Sequence, residues 1–121
     1  IPPIATTQAL ARLIGRPRAI RYLYEGGLVP AEEALSWGLV DELVAPSDLR
    51  SRVQAYGEAL AAKSPAALAA IRRTVTLGGG MSFEDGMAYE MDAVVALAGT
   101  ADFAEGVDAF LAKRPPAWPR G

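Results

Sequence analysis

The residues best placed to do chemistry in this chain are Lys113 and Arg114, two adjacent cations followed directly by Pro115 and Pro116. Such a pair suits a bound phosphate, but it equally suits the negative end of a helix dipole, and the second reading needs no ligand. The helix that would carry them starts at Asp102. There Asp102 is expected to cap the first free N–H groups, and Glu105, three residues on, to reach back in a capping box. Phe103, Val107, Phe110 and Leu111 recur at i, i+4, i+7 and i+8, which predicts one buried apolar face. The helix is expected to run to Lys113, where Pro115, Pro116 and Pro119 forbid its continuation.

Other candidate groups have structural explanations. Glu32-Glu33 and Glu84-Asp85 fall in first helical turns, where the dipole favours negative charge. Glu90 and Asp92 lie in mid-helix and read as surface residues rather than as an acid/base pair. Gly78-Gly79-Gly80 follows a helix and lacks the spacing of a phosphate-cradling loop, so it reads as a hinge. Arg12, Arg16, Arg18 and Arg21 form a basic patch answered only by Glu25. A solvated or inter-subunit face explains it first, and anion binding second. Met81, Met87 and Met91, with Phe83, Val94 and Val95, give one helix a soft apolar face suited to core or subunit packing or to an acyl pocket. No catalytic constellation emerges.

Composition removes whole classes of function. The 121 residues contain no Cys and no His, which excludes disulfides, thiol nucleophiles, Ser-His-Asp triads and the usual zinc sites, so no catalytic and no metal-binding residue is assigned. Twelve Lys and Arg against fourteen Asp and Glu give a net charge of −2, so no nucleic-acid or membrane partner is expected. No apolar run approaches a bilayer span and no signal-peptide pattern opens the chain, which leads to the expectation of a soluble, cytoplasmic protein. Beginning at Ile1 in a Pro-rich stretch, the chain reads like a processed or truncated product.

The elements that must position these residues are mostly helical. Thr6 or Thr7 opens a helix through Ile14 that Gly15 ends, with Leu10, Leu13 and Ile14 inward. Pro17 to Glu25 forms the next, with Ile20, Leu23 and Tyr24 inward, and Pro30 to Trp37 the third, stopped by Gly38. Leu39 to Val44 alternates in part and reads as a short strand. Ser47 is expected to cap a helix to Lys63, Ser64-Pro65 to start another to Leu77, and Ser82 with Asp85 to open one that Gly99 closes. The expected fold class is mainly α: an array of short helices with one short strand, and no linker to divide it.

Four segments carry a family resemblance. Gly26 to Pro46, with Ala31, Glu33, Ala34, Gly38-Leu39-Val40 and Val44-Ala45-Pro46, resembles the Ala-x-Glu-Ala…Gly-Leu-Val…Val-x-Pro signature of the enoyl-CoA hydratase/isomerase (crotonase) superfamily. Ile1-Pro2 with Thr7-Gln8 and Leu10 to Gly15 resembles the family's Pro-Gly…Gly-Gly-Thr-Gln-x-Leu…Gly stretch. Ser64-Pro65-Ala66-Ala67-Leu68 resembles its Ser-Pro-x-Ala start, and Asp102 to Pro115 its Asp-x-x-Glu-Gly-x-x-Ala-Phe-x-x-Lys-Arg-x-Pro ending. All four occur in family order.

The resemblance implies the C-terminal half of a crotonase subunit, that is, the C-terminal helical region of an α/β fold. Residues 1–46 would end the core and 47–121 would form a helical oligomerisation and CoA-lid region. It implies an acyl-CoA substrate handled by enolate chemistry, with CoA arriving as the thioester and no covalently bound cofactor. The implied partners are an N-terminal crotonase core and identical subunits in a trimer or hexamer. The oxyanion-hole amides and hydration glutamates would lie upstream of Ile1, so a solitary chain is expected to be inactive and to expose a large apolar face. Lys113 would meet a CoA phosphate as a point charge. Val94 stands where the family often has Phe. Pro3, Ala5 and Thr6 replace expected glycines, and Pro3 has no N–H to offer a catalytic water. These departures leave isomerisation, hydrolysis or another enolate reaction open beside hydration. A non-catalytic helical assembly module derived from the family is the alternative.

Overall fold

In the computed structural model, residues 6–119 are described. They form seven helices: α1 Thr6–Ile14, α2 Arg16–Glu25, α3 Ala31–Ser36, α4 Leu49–Ala61, α5 Pro65–Gly78, α6 Phe83–Ala98 and α7 Ala101–Leu111. Two compact units divide the chain, residues 1–52 and 53–121. The boundary falls inside α4, so the chain divides although no linker composition marks the division.

In the first unit, α1 and α2 meet across Gly15, whose φ of 80° turns the chain where a side chain would be strained. Ile14 and Ala19 are buried at this junction. The buried residue of α2 is therefore Ala19; of the expected inward residues Leu23 is half-buried, while Ile20 and Tyr24 are 50% and 87% exposed. Helix α3 ends in a Schellman motif. The Gly38 N–H donates to the Leu35 carbonyl and the Leu39 N–H to the Ala34 carbonyl, with Gly38 at φ 72°. That reversal leads into 39–44, which is not the expected strand: no strand occurs among the described residues. Alternation gives a segment two faces, but only a neighbouring edge gives its backbone a ladder, and none is formed here. Arg52 instead pins the segment from α4, its Nε 2.7 Å from the Glu42 carboxylate. Ser47 does not cap α4. Its hydroxyl donates to the Asp48 carboxylate, and the Asp48 carbonyl accepts the Arg52 N–H.

In the second unit, α5 and α6 form the principal helix pair, joined by the short turn 79–82 and completed by α7. The expected break at Gly78-Gly79-Gly80 is an ordered helix end, with Gly78 inside α5 and the Gly79 and Gly80 amides bonded back to Val75 and Leu77. Both predicted serine caps form: the Ser64 hydroxyl accepts from the Ala67 N–H and the Ser82 hydroxyl from the Asp85 N–H. The buried apolar residues are Ala93 and Ala109. Large apolar side chains lie outside this core, including Leu77, Phe83, Met87, Met91, Val95, Phe110 and Leu111. Glu90 and Asp92 are exposed, as their mid-helix positions suggested.

Candidate functional site

The most tightly bonded part of the second unit lies where α5 begins, α7 begins and the C-terminal segment returns. Its first component is Asp102. Rather than capping α7, Asp102 is buried, and its Oδ2 accepts the Ser64 hydroxyl at 2.5 Å and the Ala66 N–H at 3.0 Å. Ser64 in turn accepts the Ala67 N–H, so a carboxylate from α7 and the hydroxyl of the N-cap residue of α5 together satisfy the Ala66 and Ala67 N–H groups at the start of α5. The cap of α7 is Thr100, whose Oγ1 accepts the Phe103 N–H at 3.2 Å. Thr100 displaces Asp102 because the carboxylate has a better-buried use two residues further on.

The second component is Glu105, which does not complete a capping box. Its carboxylate takes both guanidinium nitrogens of Arg114, at 2.6 and 3.0 Å, and the Ala117 N–H. These bonds, with the Arg114 pair foremost, draw the Glu105 carboxyl from 4.5 down to about 2 and raise the Arg114 guanidinium. Because the folded value lies below the ordinary one, the stability from Glu105 is complete above pH 4.5 and is lost as the pH falls from there through about 2. Following the Glu105 carboxyl by carbon-detected NMR should give a midpoint near 2 in wild type and a higher one, still below 4.5, in Arg114→Ala, where the Ala117 N–H bond remains.

The third component is Trp118. Its Nε1 donates to the Ala62 carbonyl at 2.9 Å, and its ring lies 3.6 Å from where a Cβ on Gly106 would stand. Trp118 also lines an open groove of about 410 Å³, together with Leu97, Phe103, Val107, Phe110 and Leu111. The face expected to be buried is thus exposed: Phe110 is 82% and Leu111 72% accessible.

Lys113 sits between these components. The helix ends at Leu111, two residues earlier than expected, and a second Schellman motif follows. The Lys113 N–H donates to the Phe110 carbonyl and the Arg114 N–H to the Ala109 carbonyl. Lys113 occupies the left-handed position at φ 51°, the one non-glycine residue among the described residues with positive φ. Glycine is the usual occupant there. The Lys113 side chain is exposed and makes no hydrogen bond or ion pair among the described residues. Relieving the backbone with Lys113→Gly should stabilise the motif by about 1 kcal/mol. Slower hydrogen exchange of the Arg114 amide would register the gain.

The remaining candidates do not gather at this corner. Arg12 bonds to Gln8, Arg21 to Glu25 at 2.9 Å, and the Arg18 guanidinium lies 5.4 Å over the Trp37 ring, so three of the four arginines of the basic patch are engaged locally in the first unit. Val94 lines a second groove between α5 and α6 with Ile71, Val75 and Leu97. Pro3 and Ala5 lie outside the described residues, and Thr6 is the first residue of α1. No group of three or more Asp or Glu side chains placed to hold a metal occurs among the described residues, and no described helix is long and apolar enough to cross a membrane.

Small-residue helix contacts, outward apolar faces and a lysine-bearing turn characterise the second unit. The family follows from the sequence as a whole: the chain belongs to the enoyl-CoA hydratase/isomerase (crotonase) family, whose model matches residues 1–121. It is 38% identical over 112 residues to the (E)-benzylidenesuccinyl-CoA hydratase of Thauera aromatica, covering 93% of this chain and 44% of that protein. It is 31% identical over 116 residues to the 1,2-epoxyphenylacetyl-CoA isomerase of Escherichia coli K12, covering 96% and 44%. The crystal structure of an enoyl-CoA hydratase from Geobacillus kaustophilus HTA426 superposes with a TM-score of 0.92 at 33% identity, over 98% of this chain and 46% of that one. The chain thus spans less than half the length of the relatives it matches.

Proposed function

We propose that this chain is the C-terminal portion of a crotonase-superfamily enzyme acting on an acyl-CoA thioester. In this reading it supplies subunit-packing and CoA-lid contacts, while the groups that polarise the thioester belong to an N-terminal core. The observation that carries the reading is the pairing of a free lysine, held in a left-handed turn, with apolar helix faces left open beside it. Such faces are covered in a working protein, here by the core and by identical subunits in a trimer or hexamer. Lys113 then meets a CoA phosphate at the rim of the site, its ammonium acting as a point charge. Hydration and isomerisation of CoA esters both occur among the relatives, and Pro3 favours a reaction that needs no water-holding amide at that position. The isolated 121-residue chain would be catalytically inactive.

Lys113→Ala in the intact protein tests the reading. An exposed charge-assisted phosphate contact is worth about 1 kcal/mol, so the KM for an acyl-CoA should rise about fivefold while kcat holds. Unchanged KM would remove the phosphate role. The same apolar faces also suit an assembly module without catalysis. A reading frame continuing upstream of Ile1 into a complete core domain favours the enzyme, and a start codon at Ile1 favours the module.

A further inference from the structure

We infer that Glu105 is a positioning residue for Lys113: by clamping the chain immediately after the lysine, it holds Lys113 in the left-handed conformation from which its ammonium reaches a phosphate. The inference rests on the reading of Lys113 as a phosphate contact and adds a residue that touches no ligand. A lysine at φ 51° is in a conformation that unbranched L-residues adopt only when their surroundings over-determine it. Upstream, the helix supplies the Phe110 and Ala109 carbonyls that receive the Lys113 and Arg114 amides. Those bonds fix the peptides on either side of Lys113 but do not reach the downstream side beyond the Arg114 amide. Glu105 restrains it twice, through the bidentate Arg114 pair and through the Ala117 N–H, so the backbone on the far side of Lys113 is tied to the helix it has just left. The Glu105 side chain is only 17% accessible, against 43% for Arg114, so the carboxylate is the fixed end of this clamp. Lys113 is thereby the unpaired cation of the turn, while its neighbour Arg114 is held out of use.

The sign of the effect separates positioning from simple electrostatics. Glu105→Gln removes a negative charge near the turn, which by Coulombic attraction alone would tighten the binding of a phosphate. Positioning predicts the reverse. In the intact protein, titration calorimetry with coenzyme A and with pantetheine, which lacks the nucleotide phosphates, reads both effects. Glu105→Gln should weaken coenzyme A about threefold, the size expected of a partly disordered exposed phosphate contact, and leave pantetheine unchanged. Ala117→Pro, which removes one N–H of the clamp and alters no charge, should act in the same direction. The double variant Glu105→Gln/Lys113→Ala should bind coenzyme A no more weakly than Lys113→Ala, since a positioning residue has nothing left to position.

Tighter or unchanged coenzyme A binding in Glu105→Gln, beside a weakened Lys113→Ala, would overturn the positioning role and leave the phosphate contact standing. Equal weakening of coenzyme A and pantetheine would also overturn it, because a general loss of structure does not select for phosphate. Unchanged binding in Lys113→Ala would remove the phosphate contact itself.

Discussion

Asp102→Ala should speed hydrogen exchange at the Ala66 amide about 30-fold, corresponding to about 2 kcal/mol, because it leaves two donors at the start of α5 without their acceptor. The carboxylate is buried and serves both the Ser64 hydroxyl and the Ala66 N–H, so no single solvent molecule replaces it easily. Asp102→Asn keeps an acceptor oxygen of the same shape and should cost about half as much. Ser64→Ala removes the hydroxyl that links Asp102 to the Ala67 N–H. A double-mutant cycle across 64 and 102 should therefore be non-additive by about 1 kcal/mol. Additive losses would mean that the two side chains cap α5 independently.

Trp118→Ala is expected to release the C-terminal segment, at a cost of about 2 kcal/mol for a half-buried indole, below the range for fully buried aromatics. Two losses combine: the ring that lies against Gly106 and the Nε1 hydrogen bond to the Ala62 carbonyl. Trypsin cleavage between Lys113 and Arg114 reads the opening, since cleavage of a transiently released segment follows its open population. The rate should rise about 30-fold in Trp118→Ala, the factor that matches the energy. Trp118→Phe retains most of the ring and loses only the bond to Ala62, so it should rise about fivefold. A rate equal to wild type in Trp118→Ala would assign the anchoring to Glu105 alone.

The features legible in the sequence are those written over three or four residues. Ser64 and Ser82 cap as expected because both halves of each cap are local. The same rule misled at Asp102, where a local cap and a partner 38 residues away competed for one carboxylate and the distant partner prevailed. Thr100, two residues before it, carried the cap signal. Glu105 and Arg114, nine residues apart across a helix end, fit no helical periodicity, so their pairing was visible only once the chain was seen to turn back. Leu39 to Val44 alternated like a strand, but pairing depends on a neighbour and not on the segment itself. The end of α7 comes earlier than its sequence suggests because its left-handed residue is Lys113, and the signal that normally marks such a stop is glycine.

The alanine contacts at Ala19, Ala93 and Ala109 bear on the order in which this protein acquires its structure. Alanine has no rotamers to lose, so bringing these helices together costs backbone entropy and almost no side-chain entropy. The rotamer-rich residues, among them Leu13, Leu77, Met87, Met91 and Leu111, stay free to reorient in the folded chain. Under the proposed function, their ordering waits for the surface that covers them. In the proposed assembly, folding of the helices and freezing of the large side chains are separate events, and the entropic cost of the second falls on association.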